Sequence, residues 1–292
     1  MRPHPIARPA AALALTVALA LAGCAVSPAT DDLAEDASDA SPPTFEHIHG
    51  IDLNPGDDTV YVATHQGLFR LDDSVPQPVG ESRNDMMGFV VTGPDTFYAS
   101  GHPAPGEVAP ANLGLLRSTD AGAGWEDVSL RGHSDFHDLT GAGDRLYGLD
   151  SSDGRLKISN DEGVTWTSGP SINARDVDVD PNDPDRLVAT TETGLLVSTD
   201  GGTNFAPHES QPTERLVLVA HVPGHAGQLT ASLAGLDATG RLWTFNGAAW
   251  AVTGVPQGTP EAFTAIGEES YLAAFDSTVY RTGDGGRSWS QE

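Results

Sequence analysis

Ser118-Thr-Asp120-Ala-Gly122-Ala-Gly124-Trp125 returns along the chain as Ser159-Asn-Asp161-Glu-Gly163-Val-Thr165-Trp166 and as Thr282-Gly-Asp284-Gly-Gly286-Arg-Ser288-Trp289. A fourth copy, Ser198-Thr-Asp200-Gly-Gly202-Thr-Asn204-Phe205, replaces the final Trp by Phe. Asp120 and Asp161 are 41 residues apart, Asp161 and Asp200 are 39 apart, and Asp200 and Asp284 are 84 apart, or two repeats of 42. A degenerate copy is therefore due near residue 242, where Trp243-Thr-Phe-Asn246-Gly247-Ala-Ala-Trp250 carries an Asn-Gly hairpin turn. A fixed period of this size marks a repeat architecture in which neighbouring units share a core. Residues 44–292 number 249, which divides into six units of 41.5; seven units of about 36 would leave too little chain for four strands and their turns.

The local chemistry explains the pattern. Asp and Ser/Thr side chains bond turn amides, Gly supplies a conformation other residues resist, and Trp packs between units. The pattern S/T-x-D-x-G-x-T/S-W resembles the Asp-box of the Asp-box (BNR) repeat propellers, a scaffold shared by sialidases, some endoglucanases and several non-enzymatic assembly factors. The resemblance implies an all-β, six-bladed β-propeller over residues 44–292. It also implies that the boxes lie on the face away from the active site, which makes Asp120, Asp161, Asp200 and Asp284 structural. Tyr61, Tyr98, Tyr147 and Tyr271 recur at one position of each second strand and read as packing residues.

Composition limits the partners. Acidic residues outnumber basic ones 41 to 15, the formal net charge is −26, and Lys157 is the single lysine. Such a balance repels nucleic-acid phosphates and anionic headgroups, so nucleic acid is excluded as a ligand. A hydrophobic content of 38% with 33 Gly and 21 Pro fits many short strands and tight turns. One cysteine cannot build a disulfide framework or a multi-cysteine metal site.

Residues 1–23 read as a lipoprotein signal peptide: Arg2 and Arg8 precede the apolar run AALALTVALALAG. Leu21-Ala22-Gly23-Cys24 resembles the lipobox of bacterial lipoproteins, which implies that Cys24 becomes the lipidated N-terminus. Residues 24–43 then form an acidic, Pro-containing, flexible tether with too little apolar surface to fold. The protein is expected outside the cytoplasm, a monomer held to a bacterial membrane by its anchor. Whether that membrane is inner or outer is left open.

Candidate ligand residues gather in the first half of the domain. Aligning the innermost strands on the residue before Gly50 and Gly88 places His49, Met87, His137 and Asp176 at equivalent positions of the first four blades. Two residues earlier stand His47, Asp85, Asp135 and Ala174, and strand alternation sends both sets to one side. The loops joining second and third strands bring His65 and His102 to the same face. Six of the nine histidines beyond residue 23 fall between 47 and 137.

A metal site at the channel mouth follows as an expectation, with His47, His49, His65, Met87, His102 and His137 as ligands. Imidazole suits copper or zinc, and a thioether at Met87 or Met86 would favour copper. Asp85 or Asp135 would ligate or fix a histidine tautomer. The same side chains would also serve as hydrogen-bonding groups in a wet polar channel. His133 reads as rim, and His208, His221 and His225 read as surface residues.

Two other functions stay open. A glycoside hydrolase would use a pair among Asp85, Asp135 and Asp176. The sialidase variant of that chemistry needs an arginine triad and a Tyr nucleophile. Phe69-Arg70-Leu71-Asp72 is the nearest string to the Phe-Arg-Ile-Pro motif and falls within a third strand. Arg83, Arg175 and Arg215 could reach the functional face, yet every tyrosine near it is part of the strand pattern. A non-enzymatic interaction module would instead hold a protein or glycan on the wide face. The loop His102-Pro-Ala-Pro-Gly-Glu-Val-Ala-Pro-Ala-Asn112, stiffened by three prolines, would be its rim.

Overall fold

A computed structural model describes residues 45–223 and 232–292. The described strands form six four-stranded antiparallel sheets, each contiguous in sequence. The innermost strands are Ile48–Asn54, Asp85–Gly93, Phe136–Ala142, Ala174–Asp180, Leu216–His221 and Pro260–Gly267, and we number the blades one to six in that order. The all-β, six-bladed propeller expected from the repeat is the observed fold. Blade one supplies its own outer strand, Val75–Pro78, and blade six ends on its own outer strand, Ser290–Gln291. The ring therefore closes without exchanging a strand between first and last blades.

Six apolar clusters lie between the blades, one at each boundary. Phe45, Ile48, Val60, Val62 and Phe69 of blade one meet Ala262, Leu272, Ala274 and Val279 of blade six at the closing seam. Second strands such as Thr59–Thr64 and Ser270–Phe275, and the inner strand Leu216–His221, are largely apolar because both faces of a blade pack against neighbours. Tyr61, Tyr98, Tyr147 and Tyr271 are all at most 3% exposed, as their repeat position requires.

The four box segments form the turns between third and fourth strands. In each, the Ser or Thr hydroxyl donates to the Asp carboxylate at 2.8–2.9 Å and accepts the glycine N–H at 2.8–3.0 Å. The same carboxylate accepts the N–H four residues on, at Gly124, Thr165, Asn204 and Ser288. These bonds hold all four carboxyls below the usual range, Asp284 at about 2, led there by the Ser288 hydroxyl. The degenerate segment turns at the same place, with Asn246 accepting from Ala248 and Ala249.

The box glycine is required twice over. Gly163 has φ +82°, and a Cβ there would sit 2.0 Å from Leu115 Cδ2 in the third strand of the preceding blade. Gly122, Gly202 and Gly286 face Leu68, Leu156 and Leu242 in the same way. Gly143 has φ +60° but nothing within 4 Å of its Cβ position. Gly163→Ala should therefore cost left-handed strain of about 1–2 kcal/mol plus about 1–3 kcal/mol of overpacking. Gly143→Ala should cost the first contribution alone. Urea unfolding of both variants checks this, and equal losses would contradict it.

Candidate metal centre at the channel mouth

Each inner strand carries a β-bulge near its start. In the six blades the bulged residues are His49, Met87, His137, Arg175, Val217 and Glu261. A bulge gives one strand an extra residue and re-aims its side chain, a device common beside functional sites. Here it recurs at the same end of every inner strand, although Val217 packs into the core between blades five and six.

The register corrects one alignment. Asp176 pairs with Thr190 just as Gly50 pairs with Ala63, so it follows the bulge rather than occupying it, and Arg175 is the true equivalent of His49. Ala174 is displaced likewise: the equivalent of His47, two residues before the bulge, is Asn173. Asp176 lines the channel, where its carboxylate accepts Val219 N–H at 2.7 Å. Arg175 reaches across the mouth to the Pro260 carbonyl at 3.1 Å.

Two compact triads emerge. In the first, His49 Nε2, His65 Nδ1 and Asp85 Oδ1 lie 3.2, 2.9 and 3.5 Å apart. His49 comes from the blade-one bulge, His65 from the turn after that blade's second strand, and Asp85 from the first residue of the blade-two inner strand. His47 stands edge-on to His49, with ring centres 4.7 Å apart, and its Nδ1 is 3.3 Å from Glu261 Oε1. The His49 side chain is 9% exposed, and burial followed by the neighbouring His65 and His47 lowers its pKa to about 4.

In the second triad, Asp135 Oδ2 is 2.8 Å from His137 Nε2 and 3.6 Å from His102 Nε2. Ser151 donates its hydroxyl to the same oxygen at 2.7 Å. Burial works against the Asp135 carboxylate, but His137, Ser151 and His102 together hold it below the ordinary range. His137 is raised in return, chiefly by its bond to Asp135. Each triad straddles a blade boundary, the first between blades one and two, the second between two and three.

The remaining expected residues fall outside these groups. Met87 occupies the blade-two bulge, half-buried, whereas Met86 is 1% exposed in the core between blades one and two and is unavailable as a ligand. His133 is exposed. His221 is not a surface residue: it ends the blade-five inner strand, 6% exposed, with Nδ1 2.8 Å from Asp178 Oδ2. Half-buried His208 packs against Phe245 and Trp250. His225, Cys24 and the segments 1–23 and 24–43 lie outside the described residues, among which no helix is long and apolar enough to cross a membrane. Glu261 is the functional-face residue that sequence reasoning missed, because blade six has no glycine to fix its register.

Below the mouth, a cavity of about 90 Å³ is lined by Asp52, Asp138, Asp176 and Asp178. Burial pushes the Asp52 carboxyl up to about 7. It does the same to Asp138, to about 7, with Asp178 adding repulsion. Asp176 is also raised, by burial and then by Asp138.

Comparison with known proteins shows the fold alone. No protein-family model and no curated protein matches the chain. Among solved structures, a GH74 xyloglucanase from Xanthomonas campestris is 20% identical with a TM-score of 0.57, over 86% of this chain and 46% of that one. The chain thus spans about half the length of that enzyme. A YCF48 structure bound to D1 peptide is 15% identical with a TM-score of 0.55, over 87% of this chain and 84% of that one. A chain from a nidogen/laminin complex is 15% identical with a TM-score of 0.56, over 77% of this chain and 88% of that one.

The channel carboxyls give a pH signature. Folded Asp52 keeps its proton up to about pH 7, while an unfolded aspartate releases it near 3.8. The unfolded state then binds fewer protons across that interval, so this group's contribution is full below pH 4 and declines as pH rises to 7. The stability difference between the protein and its Asp52→Asn variant should therefore fall from pH 4 to pH 7 and then level off. Urea titrations at intervals of one pH unit check this, and a pH-independent difference would contradict it.

Proposed function

We propose that the protein is an extracytoplasmic, lipid-anchored Asp-box propeller that binds a divalent transition-metal ion at its channel mouth, with His49, His65 and Asp85 as ligands. The observation that supports this most is the 2.9–3.5 Å triangle of their donor atoms. A tetrahedral ion with bonds of about 2.0–2.1 Å needs ligand atoms about 3.3 Å apart. One cation would coordinate all three atoms, in place of the hydrogens that neutral His65 and His49 can otherwise turn towards Asp85. The low pKa of His49 keeps its imidazole neutral and ready to ligate.

Two imidazoles and a carboxylate suit zinc or Cu(II). Cu(I) would call on Met87, the remaining thioether at the mouth. Three protein ligands leave a position for water or for a donor from a partner, the arrangement of an exchangeable or catalytic ion rather than a closed structural one. The export reading rests on the apolar run and lipobox-like Leu21–Cys24. Asp85 and Asp135 each engage histidines and Asp176 is tied to Val219, so the metal reading accounts for these carboxylates better than a glycosidase pair does.

Because the ligands come from two blades, the ion acts as a cross-link. At 100 times its dissociation constant it should stabilise the fold by about 2.7 kcal/mol. For a domain of this size that is a rise of roughly 5–10 °C in Tm. The full chain, purified without a polyhistidine tag, is loaded with zinc or copper and dialysed. We expect His49→Ala/His65→Ala to lose one metal equivalent and most of the associated rise in Tm, with an unchanged circular dichroism spectrum. A metal-free parent protein, or a variant that binds as much as the parent, would overturn the reading.

A further inference from the structure

The second triad is not an extension of the first. It lies at the next blade boundary, sharing only blade two with the first, where Asp85 and His102 are cross-strand partners, and its own hydrogen bonds prepare it for an ion. His102 Nδ1 lies 3.0 Å from the Ala111 carbonyl. A carbonyl only accepts, so Nδ1 carries the hydrogen and a neutral His102 turns the lone pair of Nε2 towards Asp135 Oδ2, 3.6 Å away. A ring nitrogen and a carboxylate oxygen facing each other need a positive charge between them, supplied either by a proton on Nε2 or by a metal ion bound to both.

Asp135 gives a second, independent indication. Its side chain is 9% exposed, and its Oδ1 is buried with no hydrogen-bond partner. An orphaned carboxylate oxygen in such a place costs free energy, which a cation held by both oxygens of Asp135 would recover. Ser151 and His137 fix the other oxygen at 2.7 and 2.8 Å, so the carboxylate is held rather than free to turn to solvent. The loop after His102 contributes as well: Ala111 orients the ring, Asn84 Oδ1 accepts Ala104 N–H at 3.1 Å, and the Asn112 carbonyl accepts Gly132 N–H at 2.8 Å. The proline-rich insertion is thus anchored at both ends and positions a ligand.

We infer that His102, Asp135 and His137 form a second, independent site for a divalent transition-metal ion, so that the channel mouth carries two ions, one at each of two adjacent blade boundaries. The three donor atoms lie within 4.8 Å of one another, and the exposed edges of His102 and His137 leave coordination positions open to water or an incoming donor. The inference extends the metal-binding reading to a new site but does not require the first site to be filled. A mouth with two open, neighbouring ions of like donor sets would suit a ligand that offers two oxygens or nitrogens at once.

The test is zinc stoichiometry on the full, untagged chain, by calorimetry and by elemental analysis after dialysis. It compares the parent, His49→Ala/His65→Ala, His102→Ala/His137→Ala and the quadruple variant. Two equivalents in the parent, one in each double variant and none in the quadruple variant are expected. Cobalt substitution should show the visible bands of one site persisting in each double variant. One equivalent in the parent, lost only with His49 and His65, would overturn the second site and leave the first standing. One equivalent lost in either double variant would mean a single shared ion and would overturn independence. A metal-free parent would overturn both. Should His102→Ala/His137→Ala fail to fold, Asp135→Asn with His102→Gln keeps the packing and is read by the same stoichiometry.

Discussion

The fold depends on satisfying backbone groups where six separate sheets meet around a channel. Inner strands of adjacent blades run side by side without pairing, so their exposed N–H groups need partners from elsewhere. Side chains of the neighbouring blade supply several of them. Asp52 accepts from Val91, Asp138 from Val177, Asp176 from Val219 and Asp178 from His221, each across one blade boundary. Ser100 serves Phe136 in the same role between blades two and three. At the closing seam Glu261 accepts Ile48 N–H at 3.0 Å, a bond spanning 213 residues. That bond, the His47–Glu261 contact, the Ser277 hydroxyl bonded to the Glu46 carbonyl and the apolar cluster around Leu272 hold the closing seam.

This solution has an electrostatic cost that shapes the channel. Carboxyls brought together in a narrow cavity are desolvated and repel one another, which is why Asp52, Asp138 and Asp176 hold their protons more tightly than free aspartates do. At the mouth the same strands bulge, and the side chains change from carboxyls tied to backbone amides into imidazoles and carboxylates facing each other. The difference is one of partners. Below the bulge every carboxylate has an N–H to accept, whereas at the mouth the imidazoles and carboxylates of the two triads face one another and Asp135 Oδ1 has no hydrogen-bond partner. On the proposed reading, a bound cation supplies what the backbone does not.

Much of this was legible in the sequence because the repeat sets it. The 39–42-residue spacing of the boxes dictated six blades, and the recurring tyrosines marked the second strands. Alternation then put His47, His49, Asp85, Asp135 and His137 on one face. What was hidden is the bulge, since an extra residue shifts every later side chain by one position. Blades one and two carry a glycine just after it, but blades four and six do not, so Asp176 was aligned where Arg175 belongs and Glu261 was not found. His221 was hidden for another reason: Pro and Gly follow it closely and suggest a loop, although it ends a buried strand and bonds Asp178. The gathering of four of the six expected ligands, with Asp85 and Asp135, into two triads is a matter of three-dimensional distance that periodicity does not encode.

X-ray absorption at the zinc K edge of the zinc-loaded chain tests the metal-centred view of the mouth most directly. A first shell of two imidazole nitrogens and one or two oxygens at about 2.0–2.1 Å, with the outer-shell pattern of imidazole rings, is the predicted result. A shell of oxygens alone, as expected for ions held loosely by the acidic surface, would contradict it.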